Sequence, residues 1–206
     1  MKYEGNIPKR WGNISAGELV FRFWNGAVAG TYVGHGETYL SPDDVLWWSK
    51  GGVFKGQSPP RLAFLRRVLE AGPPDGIEPI DKWQNPEYGG KPGEYYLVYL
   101  GKTAPRAWEF RIPNPRVGGR GPAESLVFRA DVLDTWNMTI AAVPGTFTLQ
   151  KKDDYFYGDR EGRSITLPGT PYMAIRLTRV SPRQPRNTMR TLLLAAVISA
   201  ARLQPG

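Results

Sequence analysis

Two stretches in the first third of the chain have apolar residues at helical spacing. The first opens with Ser15 and Glu18, a capping-box pattern in which each side chain can satisfy the other's free backbone N–H group, and runs to about Gly30. Its apolar positions are Leu19, Val20, Phe23, Trp24, Ala27 and Val28. The second opens with Ser58 as the predicted cap and two prolines, and the run Gly72-Pro73-Pro74 ends it. We therefore predict two amphipathic helices, with a short strand at 31–33 directly after the first.

The period changes in the second half of the chain. Short β-branched or aromatic runs, bounded by Gly, Pro, Asn and Asp, occupy 94–100, 107–112, 125–133, 139–142, 146–149 and 171–177. This spacing is typical of a small antiparallel β-sandwich. The segment between the two halves, 73–93, is rich in proline and glycine, which favours a linker packed on a surface.

The stretch from Thr31 to Lys50 concentrates the candidate chemistry. Behind the predicted strand it carries the only histidine, His35, then Glu37, Tyr39 and the adjacent Trp47 and Trp48. A strand that ends in an acid, a histidine and aromatic residues is typical of a (β/α)8 barrel, whose catalytic groups lie at the carboxyl ends of its strands. The alternative is a glycine-rich turn followed by a capped helix, in which these residues have no chemical role.

These patterns predict a mixed α+β fold in four parts. Residues 1–72 hold the two helices and the short strand, 73–93 a linker, 94–180 a β-sandwich and 181–206 a basic and then apolar tail. The apolar run at 192–201 is far shorter than the ~20 residues that span a bilayer, so no membrane partner is predicted.

Charge and composition exclude several classes of function. The net charge is +8, but six arginines and no acidic residue lie from Arg176 to the end, so residues 1–175 carry only +2. A nucleic-acid surface normally spreads basic residues over a folded face, and we predict no nucleic-acid partner. With no cysteine and one histidine, thiolate and histidine-rich metal sites are excluded, and we predict neither metal nor cofactor. The start of the chain has no apolar signal-peptide region, which leaves localisation open with the cytoplasm slightly favoured.

Several motifs, taken in order, resemble the C-terminal part of a bacterial glycoside hydrolase family. They are KYEGNI at 2–7, GHGETY at 34–39, DDVLWWSKGG at 43–52, LAFLRRVLEAGP at 62–73, WEF at 108–110, DTWNMT at 134–139 and LPGTPYMAIRL at 167–177. That family has an apiosidase-like (β/α)8 catalytic domain followed by a collagen-binding-type β-sandwich. The resemblance implies that residues 1–72 are a partial (β/α)8-barrel segment made of the last two β/α units, and that the chain lacks the first six. The acid/base group of the fourth strand would then be absent, and the nucleophile of the seventh strand would lie upstream of Met1.

Glu4 and Glu37 are the carboxylate pair that we predict for glycoside hydrolysis, which uses two carboxyl groups on either side of the scissile bond. His35 is the candidate proton-transfer partner, since its ordinary pKa is close to neutrality. Predicted sugar contacts are Tyr3, Asn6, Trp11, Tyr39, Trp47 and Trp48. Three alternatives stay open: Glu4 contacts the substrate or supports the site and is not the original nucleophile, Glu37 caps the following turn, and His35 only makes a structural hydrogen bond.

The sequence thus predicts a glycoside hydrolase, or a truncated derivative of one, that cleaves O-glycosidic bonds of oligo- or polysaccharides. The alternative is a non-catalytic carbohydrate-binding or interaction module carried by the β-sandwich. Because two β/α units cannot close a barrel, we also expect a homo-oligomer or a complementing fragment.

Overall fold

Helix α1 (Ala16–Val28) forms where the apolar spacing predicts it. The computed structural model describes residues 3–4, 13–31, 33, 56–114 and 124–180, with the backbone alone at 3 and 13. Ser15 is the N-cap, and its hydroxyl accepts a hydrogen bond from the backbone N–H of Glu18 at 3.2 Å. The reciprocal half of the capping box is not formed, because the Glu18 carboxylate accepts from Arg22 and Lys102 instead.

The prediction of a strand at 31–33 is wrong. The structure describes two of these residues, Thr31 and Val33, and neither lies in a strand. Thr31 instead forms hydrogen bonds to the C-terminal turn of α1. Both its backbone N–H and its hydroxyl donate to the carbonyl oxygen of Gly26, at 2.8 and 3.0 Å. These bonds satisfy a carbonyl that the end of the helix leaves without a partner.

Helix α2 (Ser58–Glu70) begins one residue earlier than its predicted cap implies, with Gln57 at the N-cap position and two prolines in its first turn. Ser58 is fully buried as the first helical residue. Phe64, Leu65 and Val68 form the buried face, which packs with α1.

One antiparallel sheet of nine strands makes up most of the rest. Its strands are β3 (Glu78–Asp81), β4 (Asn85–Lys91), β5 (Tyr95–Tyr99), β7 (Arg111–Pro113), β8 (Val127–Asp134), β9 (Thr139–Ala142), β10 (Phe147–Lys151), β11 (Phe156–Asp159) and β13 (Met173–Arg179). The order is β3-β4-β5-β13-β8-β10-β11-β7, with β9 paired to β8. Two small pairs complete the strands of the described part. They are the parallel pair β1 (Tyr3–Glu4) and β2 (Asn13–Ile14), and the antiparallel pair β6 (Ala107–Glu109) and β12 (Ser164–Thr166).

The predicted fold class is therefore wrong. In the part of the chain that the structure describes, no β/α unit of a barrel is present, and the strands form a curled, half-barrel antiparallel sheet instead of a separate sandwich. The two helices pack with each other and against one face of this sheet. Strands β3 and β4, which lie inside the segment predicted as a linker, form one end of the same sheet.

The sheet has a core on each face, and alternation along β5 shows how they divide. Tyr96 and Val98 point into the core enclosed by the curl, whereas Tyr95, Leu97 and Tyr99 point to the helices. All five residues are buried, which explains why β5 reads as a continuous apolar run.

The C-terminal end of α1 lies directly on β4. A Cβ atom at Gly89 would lie 2.6 Å from the carbonyl oxygen of Val28, so only glycine permits this approach. The helix layer is thereby held close to the sheet.

Candidate functional site

The Glu4 carboxylate lies at the N-terminus of α2. It accepts hydrogen bonds from the backbone N–H of Gln57, at 2.9 Å to Oε1 and 3.0 Å to Oε2, and from that of Ser58, at 2.8 Å to Oε2. Helix N-termini carry unpaired N–H groups and a partial positive charge, so they suit an anion. Glu4 thus occupies a built anion seat, which we call the α2 seat: Glu4 with the backbone N–H groups of Gln57 and Ser58.

Gly56 makes room for this arrangement. Its φ is +101°, and a Cβ atom there would lie 2.6 Å from the carboxyl carbon of Glu4. Glycine is favoured by both the backbone conformation and the lack of space. The hydroxyl of the buried Ser58 has no hydrogen-bond partner among the described residues.

One helical turn along α2, Arg61 connects this seat to the sheet. Its Nη1 donates to the carbonyl of Gln57 at 2.6 Å, and its guanidinium carbon lies 3.7 Å from the ring centroid of Trp136. The Trp136 ring in turn packs on Tyr172, with centroids 5.9 Å apart. Such stacking of a guanidinium on an indole is favourable, more so when water is excluded.

The turn that carries Trp136 is held by Asp134, whose Oδ1 accepts from the backbone N–H groups of Trp136 and Asn137. Beside it, Met138 and Tyr172 have φ of 60° and 65°. Positive φ costs energy for any residue other than glycine, and such residues often cluster at functional sites. Trp136 is thus two residues from one residue with positive φ, Met138, and packs on another, Tyr172. Its ring also contacts Arg61 of the helix that carries the α2 seat.

A buried phenol lies under the helices nearby. Burial raises the pKa of Tyr95 to about 12, so its hydroxyl stays protonated at neutral pH. That hydroxyl has no hydrogen-bond partner in the described part of the chain.

Of the predicted catalytic residues, Glu4 is the one whose side chain the structure describes. Tyr3 is described by its backbone, which pairs with Asn13. The other predicted site residues lie outside the described residues; they are Asn6, Trp11, His35, Glu37, Tyr39, Trp47 and Trp48. The pairing of Glu4 with Glu37 therefore stays a prediction.

Sequence reasoning did not single out Arg61 or Trp136 as site residues. The two are far apart in the chain and no local pattern joins them. The sequence at 134–139 could have indicated the turn that positions Trp136. An aspartate followed by polar residues often stabilises a tight turn, because its carboxylate accepts hydrogen bonds from the backbone N–H groups that follow it.

Two features are absent from the described residues. These residues contain no group of three or more His, Asp or Glu side chains placed to hold a metal ion. Among them, no helix has the length and apolar character that crossing a membrane requires.

Comparison with known proteins gives two similarities. Residues 83–178 match the family model "Domain of unknown function (DUF5605)". Over 87% of its length, the chain is similar to a crystal structure from Bacteroides vulgatus described as a "putative glycoside hydrolase", with 33% sequence identity and a TM-score of 0.78. This chain covers 35% of that protein, about a third of its length. No curated protein matches the chain.

These similarities support the coarse part of the predicted relationship, a likeness to a protein described as a glycoside hydrolase. The apiosidase-like (β/α)8 domain that the resemblance implied is not what the described residues form. The β-rich sheet takes its place.

Proposed function

We propose that this chain acts on carbohydrate, as a glycoside hydrolase or a truncated derivative of one, and cleaves O-glycosidic bonds of oligo- or polysaccharides. The observation that carries the proposal is the 33% identity, over most of the chain, to the protein described as a "putative glycoside hydrolase". The setting of Glu4 adds to it.

Glu4 suits one of the two carboxyl roles better than the other. Both of its oxygens accept hydrogen bonds from backbone N–H groups, so the α2 seat holds the carboxyl group of Glu4 in place as a hydrogen-bond acceptor. In hydrolysis, such a carboxylate stabilises the positive charge that develops at the anomeric carbon, or takes a proton from the attacking water. We assign that role to Glu4.

Glu37 then takes the role of the acid. It would donate a proton to the glycosidic oxygen as the bond to the anomeric carbon breaks, while water supplies the oxygen that replaces it. The attacking water loses a proton as its oxygen bonds to the anomeric carbon, and His35, two residues away in the sequence, would pass that proton to Glu37. Tyr3, Asn6, Trp11, Tyr39, Trp47 and Trp48 remain the proposed sugar contacts.

A panel of aryl glycosides, with the wild type, Glu4→Gln and Glu37→Gln, tests this proposal. Loss of turnover in either variant, with folding and sugar binding retained, supports it. Glu70→Gln is the matched control, because Glu70 lies at the other end of α2 in an exposed ion pair with Arg66. Turnover unchanged in both Glu4→Gln and Glu37→Gln would contradict the assignment.

A non-catalytic carbohydrate-binding module is the second candidate. It is favoured by Trp83, which is 79% exposed in the turn between β3 and β4. The turn is fixed by the buried Asp81, whose carboxylate accepts a hydrogen bond from Asn85 Nδ2 at 2.7 Å. Wild type that binds sugar without turning over any glycoside would select this candidate.

A homo-oligomer or a complementing fragment remains our proposal for the partner. It is supported by an open groove of about 320 Å³ between α1 and α2, which is lined mainly by apolar side chains that include Ala27, Leu62 and Leu69. We take a second copy of the chain as the occupant. Sedimentation that shows a stable monomer at all concentrations tested would contradict it.

A further inference from the structure

The curled sheet splits at one end. Strands β10 and β11 are paired from Leu149↔Asp159 to Lys151↔Tyr157. The segments that continue them, β9 before β10 and β12 after β11, do not pair with each other: in the described part, β9 pairs only with β8 and β12 only with β6. Pro144, which has no N–H to donate, lies between β9 and β10, and a turn after Asp159 lies between β11 and β12.

A groove of about 470 Å³ lies in this split, and we call it the β9–β12 groove. Along β8, Phe128 and Ala130 are buried in the core inside the curl, whereas Val132 and Asp134, which continue the same stripe, are only partly buried and line the groove. The groove is therefore the open end of the curled sheet. The mouths of β-barrels are frequent sites for small ligands.

Three hydroxyl groups line this groove at exposed positions that are open to solvent. Ser164 and Thr166 are two residues apart on β12 and so project to the same side, while Ile165 between them is buried in the core. Thr139 faces the groove from β9. None of the three hydroxyls makes a hydrogen bond to another described residue, and each can donate one bond and accept two.

Asp134 adds a partly used acceptor. Its Oδ1 accepts two backbone N–H groups, but its Oδ2 accepts one bond, from Asn137 Nδ2 at 2.7 Å. A ligand hydroxyl can donate to the remaining lone pair of Oδ2.

The rest of the lining is apolar as far as the structure describes it. It includes Ala141, Pro168 and Met173, and no lysine or arginine among the described residues. Among these residues, an anionic ligand would meet the negative charge of Asp134 and no positive charge. The ligand that fits has several hydroxyls to exchange hydrogen bonds with the three side chains, and carbon-bound hydrogens to pack on the apolar part.

We propose that the β9–β12 groove binds a neutral saccharide, at a site made of residues other than Glu4 and its α2 seat. The proposal rests on the proposed carbohydrate function for the ligand class, but it does not require hydrolysis. The volume of the β9–β12 groove lies within the usual range of ligand pockets, about 300–1,000 Å³, and accommodates one or two sugar rings.

The test is a titration of the isotope-labelled full chain with neutral oligosaccharides (cellotetraose, xylotetraose and mannotetraose), followed by amide chemical shifts. We expect saturable shifts centred on Thr139, Ala141, Ser164 and Thr166.

Two variants test the location of the site. Ala141→Trp places an indole in the groove from an exposed position, and the double variant Ser164→Ala, Thr166→Val removes two hydroxyls. Each should weaken binding by about tenfold or more. The matched control is Thr178→Val, an exposed threonine of β13 outside the groove.

Absence of binding by every oligosaccharide up to about 10 mM would overturn the proposal. So would binding that Ala141→Trp leaves unchanged, or shifts confined to other surfaces. Aryl-glycoside turnover by Ala141→Trp separates the two proposals. Turnover retained with binding lost shows two sites, whereas binding in the groove without turnover in the wild type leaves the groove standing and rejects hydrolysis.

Discussion

The Glu4 carboxylate lies 2.8 Å from the backbone nitrogen of Ser58, 54 residues further along the chain. A two-residue strand near the start of the chain thus caps a helix that begins more than fifty residues later. The contact gives Glu4 a structural role as well as its proposed chemical role, and the two can be measured separately.

We expect Glu4→Ala to lower the free energy of unfolding by about 1 kcal/mol, the usual cost of removing a helix cap. The cost arises because the N–H groups of Gln57 and Ser58 lose their acceptor. Urea denaturation followed by circular dichroism measures it. Glu70→Ala, which removes an exposed ion pair at the other end of α2, should change stability by less than about 0.5 kcal/mol. Equal effects of the two substitutions would show that the α2 seat contributes nothing particular.

Gly56→Ala should destabilise the fold by about 1–2 kcal/mol. Alanine has the energetic cost of a positive φ, and its Cβ atom also clashes with the Glu4 carboxyl group. Gly76→Ala is the control for the backbone cost alone. Its φ is +85°, and a Cβ atom there meets nothing within 4 Å.

The same substitution in a Glu4→Ala background separates the two contributions. Without the carboxylate, Gly56→Ala should cost no more than Gly76→Ala, which is a coupling that a double-mutant cycle detects. If Gly56→Ala costs the same with and without Glu4, the close approach has no energetic consequence. Urea midpoints of the variants give both comparisons.

Local signals in the sequence predicted the elements better than their arrangement. The Ser15 cap, the paired prolines of α2 and the aromatic run of β5 each define their element within a few residues. The fold class went wrong because pairing partners are set by distant residues. Strand β13, for example, lies between β5 and β8, an order that no turn signal indicates.

The candidate site shows the same limit. Glu4 could be nominated from its residue type and neighbours, but not its position at the N-terminus of α2. The hydroxyls of Ser164 and Thr166 gave no signal, since alternating polar residues on a short strand normally face water. Their grouping depends on a split in the sheet, which is a property of the fold.

Trp136→Leu should lower the free energy of unfolding by about 1–2 kcal/mol, through loss of the Arg61 stack and of packing on Tyr172. Trp83→Leu is the matched control, because Trp83 is 79% exposed and its substitution should stay within about 0.5 kcal/mol. Thermal and urea unfolding of the two variants give the comparison. A larger loss for Trp83→Leu would place the more important tryptophan in the β3–β4 turn.

Asp159 should make stability depend on acid pH. Burial raises the pKa of its carboxyl group, but hydrogen bonds from the Arg163 side chain and from the backbone N–H groups of Arg163 and Thr148 outweigh burial, so the pKa lies below the ordinary 3.8. A carboxyl group whose pKa is lower in the folded protein stabilises the fold above its unfolded pKa of about 3.9. That contribution is lost as pH falls through the folded pKa.

We therefore expect Asp159→Asn to cost about 2–3 kcal/mol at pH 7, because it leaves the Arg163 guanidinium without its buried partner. The difference from wild type should stay constant down to about pH 4 and shrink below it, as the wild-type carboxylate takes up its proton. Urea midpoints between about pH 2 and pH 7 measure this. Asp154→Asn is the control, since Asp154 pairs with Lys151 at an exposed position where solvent screens the charge, and it should change stability little at any pH. An Asp159→Asn difference that does not narrow in acid would show that the ion pair with Arg163 is not what the carboxylate contributes.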